Sequence, residues 1–158
     1  MTIQLHVLNA KGRLDPYLER IERAFARGIE TILTKLPVSQ VDVVVSAGRW
    51  VIPELGMTGD SPSDGAVFVT LDPDNPNLLK DFDNEFMATL GHELHHCMRY
   101  GGPGIGTNLG EMLVSEGLAC HFELELRGSS VPFYARALAA AELDRLWERA
   151  QRELNEAS

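Results

Sequence analysis

One short stretch constrains the fold of this chain more than any other. Residues 90–97 read Leu-Gly-His-Glu-Leu-His-His-Cys and contain the pattern His-Glu-x-x-His as His92, Glu93 and His96. Successive residues of an α-helix are rotated by about 100°, so the two histidines lie about 40° apart, one turn along the same face. Two imidazoles placed in this way can bind one metal ion, and Glu93 lies beside them. The pattern therefore predicts a helix with a metal-binding face.

A third ligand is needed, because a catalytic zinc is usually held by three protein side chains and keeps one position open. The best candidate is Glu116, on a helix predicted over residues 108–127. A carboxylate in an apolar stripe is costly unless it is paired or binds a metal. The sequence therefore predicts a buried Glu116 that completes the site of His92 and His96, with Glu93 as the base. The apolar residues expected on the same side as Glu116 are Met112, Leu113, Ala119 and Cys120.

These motifs resemble those of the thermolysin-type metallopeptidases called gluzincins. The closer resemblance is to the DUF2268 family of small bacterial predicted zinc-dependent proteases, and it is strongest over residues 85–122. It rests on His92-Glu93-x-x-His96, on Glu116 twenty positions later, and on the segment Ser-Glu-Gly-Leu-Ala that contains Glu116. The resemblance implies a zincin-like α+β fold. Such a fold has a small mixed sheet of about three to four strands packed against helices, with the His-Glu-x-x-His helix at the active site.

The resemblance also implies a chemistry. One Zn²⁺ per chain, bound by His92, His96 and Glu116, would lower the pKa of a water toward about 7. Glu93 would act as general base in the hydrolysis of a peptide bond. Two alternatives stay open at this stage. One is a zinc-binding regulatory or interaction protein of zincin fold with little general protease activity, and the other is a fold that binds no metal.

The family pattern fails at one position. Thermolysin-like enzymes carry an aspartate four residues after the third ligand, where it steadies a histidine, and here that position is Cys120. The groups that orient the ligands must therefore be arranged differently. Cys120 has either a role near the site or a packing role, and Cys97 is expected in the core. His121 is the main rival of Glu116 as ligand, or else a hydrogen-bond donor to the substrate carbonyl, whereas His95 is expected to point away from the metal.

The composition and net charge restrict the classes of molecule that this protein can be expected to bind. The 158 residues are expected to form one domain, residues 1–158, and their net charge is −9. This charge argues against nucleic acid or an anionic membrane as the main partner and leaves a peptide or protein substrate. Without a basic, apolar leader, the N-terminus predicts a cytoplasmic protein with reduced cysteines. The oligomeric state is left open.

Periodicity predicts the remaining elements. Strands are expected over residues 2–8, 41–46 and 66–71, with residues 54–65 as a loop. By the resemblance, the strand at 66–71 would form the sheet edge above the metal, where substrate could pair with it; an interior strand is the alternative. A helix is expected to open at Asp15-Pro16 and close at residues 35–37, and another would start at Pro132. The helix that carries His92 should run from about 82 to 100, anchored in the core by Phe86, Leu90, Leu94 and Met98.

Overall fold

The computed structural model describes residues 2–128 and 131–155, and these residues form an α+β fold. The α+β class expected from the sequence is therefore confirmed. The described part of the chain contains four strands and four α-helices, with short 3₁₀ turns at Asp15–Tyr17 and Phe133–Arg136. The strands are β1 (Ile3–Leu8), β2 (Val41–Ala47), β3 (Met57–Ser63) and β4 (Ala66–Leu71). The helices are α1 (Leu18–Leu33), α2 (Phe82–Tyr100), α3 (Leu109–Arg127) and α4 (Ala140–Glu153).

The four strands form one mixed sheet in the order β1-β2-β4-β3. β1, β2 and β4 are parallel, and β3 runs antiparallel to β4. Val41, Val43 and Val45 of β2 are buried, whereas His6 and Asp42 lie on the exposed face, 2.8 Å apart. This alternation is typical of a sheet that is covered on one face only. The fold therefore has two layers, with the helices on one side of the sheet.

Helix α2 lies in the centre of the helical layer. Its side chains Phe86, Leu90 and Leu94 are fully buried. Gly28 of α1 packs against Met87 of α2. The predicted bounds of α2 are confirmed, but Met98 is 39% exposed, so its predicted core position is wrong. The helix that carries His92 is thus fixed by the main core of the protein.

The predicted loop at 54–65 is wrong, because residues 57–63 form strand β3. Its sequence, Met-Thr-Gly-Asp-Ser-Pro-Ser, contains Thr58 as its one β-branched residue and no aromatic residue, and it includes Gly, Asp and Pro, which are rare in strands. Pairing with β4 supplies the hydrogen bonds instead, and the register shifts between Asp60 and Ser63. Pro62 can occupy this segment because β3 lies at an edge of the sheet. Conversely, β4 pairs on both sides, so its predicted edge position is wrong and the interior alternative holds.

Two helix boundaries also differ from prediction. Asp15 and Pro16 start the short 3₁₀ turn, and α1 begins at Leu18. Asp15 does not cap the helix because its carboxylate accepts a hydrogen bond from Asn9, at 2.7 Å. Helix α1 also ends earlier than predicted, at Leu33.

The last predicted helix begins later than Pro132, since the 3₁₀ turn comes first and α4 starts at Ala140. None of the described residues of α4 is buried, and Trp147 is 52% exposed. Its apolar residues do not enter the core because α4 touches α3 near its own end only, where Gly110 N–H donates to the Leu154 carbonyl at 2.9 Å. Among the described helices, none combines the length and the apolar character that a bilayer crossing requires.

We expect Phe86→Ala to lower the free energy of unfolding by about 3–5 kcal/mol, because a fully buried ring is removed and leaves a cavity. Urea denaturation followed by circular dichroism measures this change. Trp50→Ala is the matched control, since Trp50 is 93% exposed, and it should change stability by less than about 0.5 kcal/mol. Equal effects of the two substitutions would contradict the central position of α2.

Candidate metal centre

Helices α2 and α3 bring three potential ligand residues together. The Nε2 atoms of His92 and His96 are 3.1 Å apart. The Nε2 of His92 lies 3.3 Å from Oε2 of Glu116, and the Nε2 of His96 lies 3.3 Å from its Oε1. Tetrahedral ligands bound at about 2.0–2.1 Å from zinc are themselves roughly 3.3 Å apart. The spacing of these donors therefore fits an ion of this size. The structure brings together the three residues that the sequence predicts as ligands.

The close packing of α2 on α3 has a local cause. Gly91, the residue before His92, is buried, and a Cβ there would overlap the side chain of Leu126 on α3. The chain reverses between the helices through the glycine-rich turn at 101–106, and Asn108 caps α3 by accepting a hydrogen bond from the Glu111 amide at 2.9 Å. Because position 91 carries no side chain, Leu126 packs directly on the backbone of α2, and Glu116 of the same helix α3 lies beside both histidines.

Glu116 itself is not the buried acid that the sequence predicts. Its side chain is 52% exposed, and on the same helix Leu113 is 42% exposed. The N-terminal half of α3 lies largely on the protein surface, and of the predicted stripe Ala119 is fully buried, whereas Met112, Leu113 and Cys120 are not. Burial was therefore the wrong reason for selecting Glu116, although the residue does lie beside the histidines.

The base candidate Glu93 is buried between α2 and the edge strand β3. Ser61 donates a hydrogen bond to its Oε2 at 2.9 Å, and a Cβ at Gly59 would overlap its side chain. Burial raises the pKa of Glu93; the positive charge of His92 and the Ser61 hydrogen bond oppose this, and nearby carboxylates add to the rise. The net increase makes this carboxylate a better proton acceptor near neutral pH.

Both histidines also contact a residue of α3 through their other ring nitrogen. Nδ1 of His92 lies 3.6 Å from Glu123, and Nδ1 of His96 lies 3.3 Å from the Ser115 hydroxyl. Such partners orient metal-binding imidazoles and increase their affinity. Glu123 thus lies where it can replace the aspartate whose position is taken by Cys120. Glu123 was missed in the sequence, although seven residues make about two turns and place it on the face of Glu116.

Glu123 is fixed by two further side chains. Tyr134 donates to its Oε2 at 2.5 Å and Arg127 donates to its Oε1 at 2.8 Å, while Arg127 also binds both carboxylate oxygens of Glu85. Burial raises the pKa of Glu123, but the contacts with His92, Tyr134 and Arg127 outweigh it and hold the pKa below its usual value. Glu123 therefore stays ionised, and its negative charge lies 3.6 Å from the Nδ1 of His92.

The two ligand histidines differ in their proton affinity. Burial lowers the pKa of His92, but contacts with Cys120 and Glu123 and the charge of Glu93 raise it overall to about 10. The pKa of His96 is lowered, mainly by burial. The two pKa values move in opposite directions, as expected because Nε2 atoms that are 3.1 Å apart cannot both carry a proton. A metal ion must therefore displace a proton from His92.

The other histidines and the cysteines considered in the sequence occupy different positions relative to the three donors. His121 has a side chain that is 72% exposed and is 3.9 Å from Glu125, so it does not reach the histidine pair. His95 contacts the ring of Phe122, as expected for a residue that points away. Both cysteines are free thiols; Cys97 is buried, as predicted, and Cys120 groups with His92 and Glu123.

An open cavity of about 360 Å³ gives access to the three donors. Besides these residues and Glu93, it is lined by Gly59, Asp60 and Ser61 of β3, by Tyr100 and by Ile105. Tyr100 thus lines the same cavity as the three donors, whereas the hydroxyl of Tyr134 is hydrogen-bonded to Glu123.

Comparison with known proteins assigns this chain to a family. Residues 19–158 match the model of the family described as "Predicted Zn-dependent protease (DUF2268)". The chain belongs to the DUF2268 family. Comparisons with curated proteins and with solved structures find no match. Membership therefore indicates zinc dependence and protease activity as a prediction made for the family as a whole.

Zinc binding should release protons. Because the raised pKa of His92, about 10, keeps it protonated near neutral pH, zinc must displace this proton. We expect at least about one proton released per zinc at about pH 7.5, and an affinity that rises roughly tenfold per pH unit from about 7 to 9. Calorimetric titration in buffers of different ionisation enthalpy measures the release. A pH-independent affinity would contradict the assignment of the proton to His92.

Glu123→Gln should weaken zinc binding about tenfold to a hundredfold, because it removes the charged partner of His92 Nδ1. Competition with a chromophoric chelator measures the affinity. Glu125→Gln is the matched control on the same helix, since the Glu125 side chain is 48% exposed and lies beside His121. If the two variants bind zinc equally well, Glu123 does not orient the ligand.

Proposed function

We propose that this protein is a zinc-dependent peptidase with a zincin-like fold, in which His92, His96 and Glu116 bind one zinc ion and Glu93 is the general base. One observation carries the proposal. The Nε2 atoms of His92 and His96 lie 3.1 Å apart and each is 3.3 Å from one of the two Glu116 carboxylate oxygens, next to a buried carboxylate, that of Glu93, that is not part of this group. A zinc ion with a structural role only would have no use for such a base.

The positions of Glu93 and Ser61 indicate the role of each residue in the proposed reaction. Zinc, when bound, would supply a Lewis acid and lower the pKa of water at its open position. Glu93 accepts the proton of the attacking water, since burial raises its pKa, and then delivers this proton to the departing amine. Ser61 holds the Glu93 carboxylate in place through the hydrogen bond at 2.9 Å.

The edge strand β3 provides a place for the substrate main chain. Among the described strands, β3 has a neighbour on one side only, and its residues Gly59, Asp60 and Ser61 line the cavity at the centre. An extended peptide can add to such an edge by main-chain hydrogen bonds. We assign to β3 the role that the sequence suggested for β4. Asp60 and the net charge of −9 favour neutral or basic peptides.

The remaining expectations become part of this proposal. We assign residues 1–158 to one catalytic domain, acting in the cytoplasm on a peptide or protein and on neither nucleic acid nor membrane. The charge of −9 and the family match over residues 19–158 support this assignment.

Metal content tests the ligand set. Elemental analysis of protein purified without chelator or metal-affinity tag should give about one zinc per chain. Glu116→Ala should lose this zinc, whereas Glu22→Ala, which removes an exposed carboxylate of α1, should retain it. A wild-type protein that binds no zinc after incubation with the ion would refute the proposal.

Activity tests the base. Glu93→Gln should keep its zinc but cleave a peptide library at least about a hundredfold more slowly, because only the proton acceptor is removed. Mass spectrometry of the library measures the cleavage. Full activity in this variant would refute the role of Glu93. Zinc binding without cleavage by the wild type would favour the regulatory alternative.

A further inference from the structure

A second cavity, of about 220 Å³, lies next to the candidate metal centre. It shares Gly59, His92 and Glu93 with the cavity described above. Any group bound in it therefore lies beside the proposed base. Its other walls come from the turn before β3, from β3 itself, from both ligand-bearing helices and from the 3₁₀ turn after α3; they include Ile52, Leu55, Thr58, Thr89, Cys120 and Tyr134.

The two cavities differ in chemistry. The cavity at the centre is bounded by Asp60, Ser61 and Glu116, which are polar or charged. The surface of the second cavity is mainly apolar, and its lining includes Ile52, Leu55, two threonines, Cys120 and Tyr134. Apolar walls with a few polar groups are typical of sites that bind an apolar side chain.

Glu123, a charged residue that lines the second cavity but not the first, already has its hydrogen-bond partners. Glu123 accepts hydrogen bonds from Tyr134 and Arg127 and faces His92. Arg127 is in turn paired with Glu85, and its side chain is 2% exposed. Glu123 therefore offers no free hydrogen-bonding group to a charged substrate side chain, which would lose its water on entering this part of the cavity, and this is unfavourable.

The edge strand passes both cavities in order. Thr58 lies at the apolar cavity, Gly59 lies at both, and Asp60 and Ser61 lie at the polar one. A peptide paired with β3 would therefore cross from one cavity to the other over Glu93. For a peptide antiparallel to β3, the residue at the Thr58 end follows the cleaved bond in the chain direction.

We propose that this second cavity is the specificity pocket of the enzyme and binds one uncharged, apolar side chain of about leucine to phenylalanine size, next to the cleaved bond. The volume agrees with this size, because an apolar cavity of about 150 Å³ already holds a benzene molecule. The inference rests on the proposed peptidase function and adds to it a class of substrate.

Metal-binding inhibitors test the pocket without knowledge of the substrate. The probes are acetohydroxamic acid and four dipeptide-like hydroxamates that differ in one side chain: hydrogen, isobutyl, carboxymethyl or aminobutyl. Binding to the zinc-loaded full-length protein is measured by calorimetry. We expect the isobutyl compound to bind about tenfold to a hundredfold more tightly than the hydrogen compound, as burial of a leucine side chain predicts. The two charged compounds should show no such gain.

Variants that fill the cavity test whether the tighter binding of the isobutyl compound arises in this cavity. Ile52→Trp and Thr89→Phe enter the cavity from two different elements, and each should reduce the isobutyl-to-hydrogen affinity ratio to about one. Leu143→Trp is the matched control, because it adds the same ring on α4 at a residue that is 57% exposed, and it should keep the wild-type ratio. A ratio that is unchanged in whichever filling variants fold would overturn the assignment of this cavity.

The outcomes separate the two proposals. If acetohydroxamic acid binds in a zinc-dependent way but the isobutyl group adds nothing, or a charged group adds as much, the pocket proposal is wrong and the metal centre stands. If the protein binds no zinc, or no hydroxamate binds the zinc-loaded protein, the proposed function fails and the pocket proposal fails with it.

Discussion

The contact of α2 with α3 at Gly91 is the constraint on which the site depends. A Cβ at this position would overlap a methyl group of Leu126, so the Leu126 side chain could not keep its present place against α2. The ligand atoms of His92 and Glu116 belong to different helices, so their separation of 3.3 Å follows directly from the helix separation. The main core reinforces this arrangement, because Phe86, Leu90 and Leu94 of α2 belong to the same buried cluster as Phe122 and Leu126 of α3. The metal-binding geometry is thus a consequence of helix packing.

Strand β3 is the second structural element that shapes the site. It packs against Glu93 through a residue without a side chain, Gly59, and it supplies the hydroxyl of Ser61 as a hydrogen-bond donor. Its register is irregular between Asp60 and Ser63, as is common for edge strands beside functional sites. The same short strand therefore holds the proposed base, lines both cavities and offers a free edge to a peptide.

Interactions around Glu123 show how a family pattern can be met by different residues. Position 120 carries a cysteine, so a carboxylate one turn further along α3 faces His92 instead. This carboxylate would be costly in a buried position without partners, and Tyr134 and Arg127 satisfy it. Tyr134 comes from the 3₁₀ turn after α3, which links the C-terminal part of the chain to the proposed ligand sphere.

Sequence alone determined the features that depend on local periodicity. Helical spacing placed His92 and His96 on one face with Glu93 beside them and set the bounds of α2 and α3, while the resemblance to the family motif indicated Glu116. Pairing, burial and long-range contacts were decided by tertiary structure only. Strand β3 has little intrinsic preference for its conformation and exists because β4 lies beside it. Glu116 is exposed and Glu123 is buried because the position of a helix on the core, and not its apolar pattern alone, decides which residues water can reach.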